Sequence, residues 1–340
     1  MSFSIPTLAD LGDAALAMDL QHAMDNKAKR PGALGQLEVL AVQLGMIQGT
    51  LTPTLQQPQL LVFAGDHGLA AQGVSSRQGG TTAGLVDAIL SGGAAVSVLA
   101  RQHGLNLTVV DCGLHQAVSV DTAPGVQLTA CRVAAGTADS LLQPAMSLEQ
   151  CHTAFMNGQA LVAALPGNVL LLGDVGIGNS AAASLIMARM LGLDIAQCTT
   201  PAGLDDAAVE RKRAVLARVL QRHAFAAGPM AVLTAMGGFE IATMVGAVLQ
   251  AAQERRVVVV DGFTSSVAVM VAQQLAPQVT QRCVFAHQSG ERNHATVLEH
   301  LQAQPLLSLG LHLGEGAGAA LAWPLLVSAC QISRDMVSLA

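Results

Sequence analysis

One carboxylate in this sequence, Glu315, is flanked on both sides by glycine and could act as a general base. Residues 313–318 read LGEGAG and stand directly before an apolar stretch. Glycine neighbours leave a carboxylate accessible to a ligand, and an apolar setting raises its pKa, which suits a group that collects a proton. The same pattern fits the start of a helix, where a glutamate interacts favourably with the helix dipole. The residues alone support the two interpretations about equally.

A glycine-rich turn offers a second chemical feature, a place for an anion. Residues 173–180 read GDVGIGNS and precede an alanine-rich helical stretch. Backbone N–H groups in such a turn, together with the positive end of the following helix dipole, form a cradle for phosphate. The spacing G-x-x-G-x-G differs from the dinucleotide fingerprint, and no P-loop motif occurs, so neither NAD nor a nucleoside triphosphate is favoured. A tight turn between strand and helix without a ligand explains the pattern equally well.

Three further segments carry charged or metal-ligating side chains. Lys212 is one of only three lysines and lies in a charged helical stretch, so it is either a solvated residue or a compact cation for a phosphate. The spacing His287-x-x-x-Glu291-x-x-His294 lacks the HExxH order, which favours ligand contact or buried hydrogen bonding over a metal site. Residues 257–266, VVVVDGFTSS, are similar to a diphosphoribose-binding loop, but such loops carry two adjacent acids, and only Asp261 is present here.

Composition excludes several classes of protein. The chain has 340 residues, 51% hydrophobic and 12% charged, which rules out a disordered chain. A net charge of −6 and 2% aromatic residues argue against nucleic-acid binding, which needs clustered cations or stacking platforms. No stretch of about 20 residues is cleanly apolar, and the N-terminus has no secretory signal pattern. Six scattered cysteines without a CxxC pair fit reduced thiols, so we expect a cytoplasmic protein with no membrane partner.

The elements that must position these groups follow from apolar periodicity. Six apolar runs end in small or polar residues, as buried parallel strands do: 60–64, 107–110, 169–172, 231–234, 257–260 and 283–286. Helical stretches such as 181–191 and 241–252 lie between most of them. The alternation predicts an α/β fold with a doubly wound, mainly parallel six-stranded sheet. We expect residues 33–300 to form this Rossmann-like domain, and residues 1–32 plus 301–340 to form a small helical domain made from both termini.

Glycine, aspartate and histidine follow these apolar runs repeatedly. The residues after the six runs include GDHG at 65–68, DCG at 111–113, GDVGIGN at 173–179, MGG at 236–238, DGF at 261–263 and HQSG at 287–290. Ligands of open α/β sheets bind outside the carboxyl ends of the strands. The sequence therefore predicts one shared site along one edge of the sheet.

Seven blocks, taken in order, resemble a known enzyme family. They are VFAGDHGLAAQGVS, SGGAAVSVLAR, GDVGIGNSAAA, GLDDAAVERK, MGGFEIA, VVVVDGFTSS and LGLHLGEGAGAALAWPLL, from about Val62 to the C-terminus. The family is the nicotinate-nucleotide–dimethylbenzimidazole phosphoribosyltransferases, which make the lower ligand of cobalamin. The resemblance implies a homodimer that transfers phosphoribose from nicotinate mononucleotide to 5,6-dimethylbenzimidazole or a related base. The products would be α-ribazole 5′-phosphate, with inversion at C1′, and nicotinate.

The resemblance also implies roles for individual residues. Glu315 would be the general base. The nucleotide and its phosphate would contact one group of residues, namely Gly176, Gly178, Asn179, Lys212, Ser289 and Gly290. The aromatic base would contact a second group, namely Ser75, Asp174 and Leu313. No metal or cofactor is expected, because no diphosphate leaves and nicotinate departs as its ring nitrogen loses a positive charge.

The sequence departs from the family pattern near the expected base pocket. Asp174 stands where the family usually has Glu, His312 replaces an Arg and Ala317 replaces a Thr, while residues 76–79 differ from a YPQ-like stretch. A phenolic or purine acceptor therefore stays open. Two other functions also stay open: a diphosphoribose-dependent transferase that uses Asp261, and a non-catalytic nucleotide-binding homologue.

Overall fold

A six-stranded sheet forms the centre of the protein. The computed structural model describes residues 3–75, 81–118, 121–199, 201 and 203–339. Its strands are β1 (Gln59–Gly65), β2 (Asn106–Gly113), β3 (Val126–Ala130), β4 (Val169–Val175), β5 (Val257–Val260) and β6 (Cys283–Phe285). They lie in the order β3-β2-β1-β4-β5-β6, and each neighbouring pair is parallel. This order is that of the doubly wound Rossmann arrangement, so the predicted fold class is confirmed.

Helices cover both faces of the sheet. Those of the described residues are α1 (Ala14–Asp25), α2 (Gln36–Gln48), α3 (Thr82–Leu90), α4 (Ala95–His103), α5 (Leu148–Ala164), α6 (Asn179–Leu191), α7 (Ile195–Cys198), α8 (Asp206–Arg222), α9 (Pro229–Met236), α10 (Phe239–Gln253), α11 (Phe263–Leu275), α12 (Arg292–His300) and α13 (Ala317–Asp335). One apolar core lies between the sheet and α5, α6, α10 and α11. A second lies between the opposite face and α2, α3, α4 and α13. Strands buried on both faces explain why their sequences are continuously apolar.

Five of the six predicted strands are present, but the run 231–234 is wrong. It lies inside α9, which begins at Pro229 directly after Gly228. Proline is favoured at the first position of a helix, and a short apolar run alone does not distinguish a strand from a buried helix. Residues 236–238 consequently do not follow a strand: Met236 ends α9, and Gly237 and Gly238 join it to α10. The sixth strand is β3, an edge strand whose side chains are mostly exposed, which is why it has no apolar run.

The two chain termini contact each other and the sheet. Helix α1 packs on α2, and α13 packs on α2, α4 and the face of the sheet. Lys27 near the end of α1 forms an antiparallel bridge with Ser338, and its ammonium donates to the Met336 carbonyl. Helix α13 therefore both joins the termini and covers the sheet. The division into residues 33–300 and a separate terminal domain stays a prediction.

One stretch of the described chain is long and apolar enough to cross a membrane by length and composition alone. It is Thr82–His103, with a hydropathy of 1.7. The structure divides it into α3 and α4, and Val86, Ile89 and Val96 are fully buried in the second core. Packing on the sheet accounts for its apolar residues, so a single stretch of this kind is weak evidence for a membrane span.

Candidate active site

A cavity of about 650 Å³ opens at the carboxyl ends of β4, β5 and β6. Nine of the residues predicted from the sequence line it: Ser75, Asp174, Gly176, Gly178, Asn179, Ser289, Gly290, Leu313 and Glu315. These residues come from four separate parts of the chain. The topology thus brings three features to one place: the expected general base Glu315, the glycine-rich turn, and the residues expected to contact the aromatic acceptor base. The family-variant residues 76–79 lie outside the described part of the chain.

Glu315 is held in a backbone conformation that is unusual for a residue with a side chain. Its φ is +64°, between Gly314 at +73° and Gly316 at +84°. The left-handed region costs a non-glycine residue about 1 kcal/mol, so the loop stores strain at this position. The Glu315 N–H donates to the Asp174 carbonyl over 3.1 Å, and the residue is 7% exposed. The backbone from which the Glu315 carboxylate extends is therefore held in place at the cavity wall.

Asp261 fixes this loop from behind. Its Oδ2 accepts the Gly316 N–H over 3.1 Å, and its Oδ1 accepts the Ala319 N–H over 2.9 Å. The Asp261 side chain is fully buried, and His287 Nε2 lies 3.7 Å from Oδ1. A buried carboxylate on the first N–H groups of α13 satisfies donors that the helix leaves unpaired and complements its dipole. Asp261 therefore caps α13 from a distant strand and ties Glu315 to the sheet.

Asp174 is a buried carboxyl that faces both the cavity and the interior. Its Oδ1 accepts from Asn179 Nδ2 over 2.8 Å, and its Oδ2 accepts from the Ser265 hydroxyl over 2.9 Å. Burial and the nearby Asp261 carboxylate raise the pKa of Asp174 to about 7, although the hydrogen bond from Ser265 lowers it in part. Near neutral pH this group can therefore hold or release a proton at the cavity wall.

The raised pKa of Asp174 makes stability depend on pH. An acid whose pKa is higher in the folded than in the unfolded chain keeps a proton that the unfolded chain has lost. The free energy of unfolding therefore falls as pH rises from about 4 to about 7. The interval from 3.8 to about 7 corresponds to at most about 4 kcal/mol. We expect the free energy of unfolding of Asp174→Asn, relative to that of wild type, to increase by roughly 2–4 kcal/mol when the pH is raised from 5 to 8. Urea unfolding at both pH values measures this, and the exposed Asp19→Asn serves as control. An equal difference at both pH values would contradict the assignment.

The glycine-rich turn is braced by a hydrogen-bond chain that the sequence did not reveal. The Ile177 N–H donates to Thr82 Oγ1 over 3.1 Å, and that hydroxyl donates to Asp66 Oδ1 over 2.5 Å. Asp66 Oδ2 in turn accepts the His115 N–H over 2.8 Å. Gly178, with φ +96°, is the N-cap residue directly before α6. Asp66 therefore positions the turn from the end of β1, which is a role that its place after an apolar run could not specify.

His67, the neighbour of Asp66, is buried beneath the same turn. Its Nε2 lies 2.6 Å from Glu240 Oε1, and both side chains are almost completely buried. Burial disfavours the charged ring, but the Glu240 carboxylate outweighs that effect and raises the pKa of His67. A side chain at Gly178 would contact the His67 Cβ at 3.2 Å. The ion pair therefore supports the turn from inside the protein.

Lys212 lies behind the cavity rather than on its wall. It is 1% exposed on α8, and the charge that acts on it most directly is Glu291, which does line the cavity. Burial lowers the pKa of Lys212 to about 8, while Glu291 opposes that shift. The Glu291 carboxyl has its pKa raised by burial, against the effect of Lys212. The pair places a buried cation next to the part of the cavity formed by Ser289 and Gly290.

Further residues of the cavity were missed or left without a role by the sequence. Thr264 lines the cavity at the start of α11, next to the Ser265 that bonds Asp174. The His312 ring lies over Gly290, where a side chain would collide with it. The hydroxyl residues Thr264, Ser265 and Ser266 follow closely after Asp261, and they were the sequence signal that could have pointed to this part of α11. Within the described residues, no group of three or more His, Cys, Asp or Glu side chains is arranged to hold a metal ion.

Comparison with known proteins shows which family the chain is similar to. A family model described as phosphoribosyltransferase matches residues 10–340. A nicotinate-nucleotide–dimethylbenzimidazole phosphoribosyltransferase of Variovorax paradoxus (strain S110) is 58% identical over 336 residues, covering 98% of this chain and 95% of the relative. The enzyme of that name from Cupriavidus necator is 49% identical over 337 residues, covering 98% of this chain and 96% of the relative.

A solved structure shows the same fold. The crystal structure of the nicotinate-nucleotide–dimethylbenzimidazole phosphoribosyltransferase from Thermus thermophilus is 34% identical, with a TM-score of 0.88. The match covers 96% of this chain and 97% of that chain. The chain therefore belongs to the nicotinate-nucleotide–dimethylbenzimidazole phosphoribosyltransferase family and is a phosphoribosyltransferase.

Proposed function

We propose that this chain transfers the phosphoribosyl group of nicotinate mononucleotide to 5,6-dimethylbenzimidazole or a related base. The products are α-ribazole 5′-phosphate and nicotinate, as in the making of the lower ligand of cobalamin. The observation that carries the proposal is Glu315, a carboxylate with φ +64° on the wall of a cavity that also contains the N-terminus of α6. The names of the similar enzymes supply the substrates.

The chemistry needs few groups. The bond between C1′ and the nicotinate nitrogen breaks, and its electron pair neutralises the positive ring nitrogen. One benzimidazole nitrogen bonds C1′ from the opposite face, which inverts that centre. The other nitrogen then loses its proton to the carboxylate of Glu315. Holding the two rings and C1′ in line supplies much of the remaining acceleration.

The phosphate and the acceptor base are proposed to occupy different parts of the cavity. Gly176, Gly178 and Asn179 lie at the N-terminus of α6, where a helix dipole favours an anion. Ser75, Asp174 and Leu313 lie in the same cavity and are proposed to contact the acceptor base. Asp174 is protonated in part near pH 7, so it can donate a hydrogen bond to a ring nitrogen as well as accept one.

A product screen tests the proposal. Purified protein is incubated with nicotinate mononucleotide and, in turn, a benzimidazole, a purine and a phenol, and the products are identified by mass spectrometry. We expect nicotinate release that depends on the benzimidazole, with a product of matching mass. Calorimetric binding of the nucleotide without product from any acceptor would instead support a non-catalytic homologue.

Removal of metal ions separates the proposal from a diphosphoribose-dependent transferase. In that alternative a carboxylate such as Asp261 would serve a diphosphate and its magnesium, but Asp261 is buried and bonded to Gly316 and Ala319. We expect turnover of nicotinate mononucleotide to change less than about twofold with excess EDTA, because the leaving group is an uncharged ring nitrogen that needs no Lewis acid. Strict dependence on magnesium and a diphosphate donor would contradict this.

We also infer a cytoplasmic homodimer. All six cysteines are free thiols, which fits a reducing compartment. A dimer would have about twice the 34.7 kDa of one chain. Light scattering after gel filtration measures that mass, and a monomer at micromolar concentration would contradict the inference.

A further inference from the structure

The Ser289–Gly290 turn has already used its backbone donors within the protein. The Gly290 N–H donates to the Leu311 carbonyl over 2.9 Å. The Ser289 N–H donates to His294 Nδ1 over 3.0 Å. Gly290 has no side chain, so the donor that this turn keeps for a ligand is the hydroxyl of Ser289, which lines the cavity. The glycine-rich turn before α6 also uses backbone donors internally, since the Ile177 N–H donates to Thr82 Oγ1 and the Ser180 N–H to Asn179 Oδ1.

His294 is held in one tautomer by its partners. Because Nδ1 accepts a backbone N–H, it carries no proton, and the ring proton is on Nε2. Nε2 lies 3.0 Å from the Ser266 hydroxyl, whose oxygen accepts a hydrogen bond from the Nε2–H group. The ring is completely buried, and burial together with the nearby His287 lowers the pKa of His294 to about 3. The imidazole is therefore neutral and fixed at both nitrogens between α11 and α12.

The same Nδ1 positions the serine hydroxyl indirectly, by holding the Ser289 backbone N–H. It lies 3.0 Å from Ser289 Oγ as well as from Ser289 N. A ring nitrogen has one lone pair in the ring plane, and the backbone N–H is directed at it. Because the backbone N–H takes that lone pair and Nδ1 carries no proton, the ring leaves the hydroxyl proton of Ser289 available to an acceptor in the cavity. An anionic oxygen is the acceptor that gains most from such a donor.

We propose that His294 is a positioning residue for the nucleotide, acting through Nδ1 on Ser289, whose hydroxyl donates to the phosphate. The proposal rests on the proposed function, since it takes nicotinate mononucleotide as the ligand. It assigns the recognition in this turn to a side chain and not to the backbone. His294 itself touches no substrate.

Four variants test the proposal by steady-state kinetics. Ser289→Ala is expected to raise KM for nicotinate mononucleotide about tenfold, with kcat changed less than about threefold, because a hydrogen bond to a charged group is lost. His294→Gln, whose amide reaches the position of Nε2 but not of Nδ1, is expected to raise KM similarly. His294→Asn places an oxygen near Nδ1 and should restore KM to within about threefold of wild type. Ser289→Ala combined with His294→Gln should be no worse than Ser289→Ala alone.

The control is His223→Gln, which alters a histidine whose Nε2 bonds the Ser140 carbonyl away from the cavity. It should leave KM unchanged. Equal KM values for Ser289→Ala and wild type would overturn the proposal, as would fully multiplicative effects in the double variant. Equal losses in the Asn and Gln variants of His294 would show a packing role and overturn it too. Ser289→Ala removes only an oxygen at the cavity wall, so it decides the hydroxyl's role even where a His294 variant fails to fold.

The proposed function and this inference can fail separately. Turnover by the wild-type protein tests the first. If the wild type binds nicotinate mononucleotide without turning it over, the same ratios are measured as dissociation constants by calorimetry. A tenfold ratio between Ser289→Ala and wild type supports the inference in either case, and a ratio of one overturns it.

Discussion

Glu315→Gln is expected to lower kcat by about 10²–10⁴-fold and to change KM for nicotinate mononucleotide by less than about threefold. The amide has the size of the carboxylate but cannot take the proton that the acceptor base loses. Nucleotide binding is proposed to depend on the α6 N-terminus and the Ser289 turn, which the substitution does not touch. Steady-state kinetics with both substrates varied measures the two constants separately.

A matched control and a rescue make this prediction specific. Glu299→Gln makes the same chemical change at an exposed position on α12 and should leave kcat unchanged. Glu315→Gly removes the side chain and leaves room for a small carboxylate, so added formate should restore part of the turnover. Turnover within a few fold of wild type in Glu315→Gln would remove this residue from its role. Failure of formate in the glycine variant would count against proton transfer, since positioning of the acceptor base cannot be replaced by a free anion.

The strain at Glu315 separates loss of activity from loss of folding. With φ at +64°, the position suits glycine better than any residue with a side chain. Relief of the left-handed conformation contributes about 1 kcal/mol, so Glu315→Gly should have a free energy of unfolding no lower than that of wild type. An inactive variant that is equally stable shows that the strain serves the site and not the fold.

The sequence predicts the sheet well where burial is complete. Strands such as β1 and β5 are covered on both faces, so each is a continuous apolar run that ends in a polar turn. The edge strand β3 has mostly exposed side chains and therefore gives no such run. The apolar run 231–234 misled because a buried helix is equally apolar, although Gly228 and Pro229 before it were a helix-start signal. A continuous apolar run in the sequence thus indicates burial more directly than it indicates a strand or a helix.

For the candidate site, the sequence shows features that depend on adjacent residues but not those that depend on residues far apart in the chain. Glu315 could be chosen from the sequence because its glycine neighbours are adjacent to it. The bonds from Gly316 to Asp261 and from Ser265 to Asp174 span 55 and 91 residues, so no local pattern encodes them. The interaction of Lys212 with Glu291 likewise joins residues far apart in the chain, so no local pattern encodes it. What the sequence could not give is therefore the set of long-range bonds that supports the candidate site.

Gly173→Ala should reduce turnover about 100-fold without altering any group that touches substrate, because a displacement of about 1 Å at a reacting group has an effect of this size. Gly173 lies in β4 against the Glu315 loop. A Cβ there would lie 2.6 Å from Gly316 N, 2.7 Å from Glu315 C and 2.8 Å from Glu315 O. These are backbone atoms held by Asp174 and Asp261, so the loop cannot turn aside as a flexible side chain would.

The kinetic pattern distinguishes a displaced loop from general damage. If the methyl group moves the Glu315 loop alone, kcat falls while KM for nicotinate mononucleotide stays within about threefold, because the α6 turn is not moved. Gly93→Ala is the matched control, since a Cβ there meets its nearest neighbour at 3.7 Å. That variant should keep wild-type turnover. Wild-type turnover in Gly173→Ala, measured beside an inactive Glu315→Gln, would show that the carboxylate works without a fixed backbone origin, and the strained loop would then have no catalytic purpose.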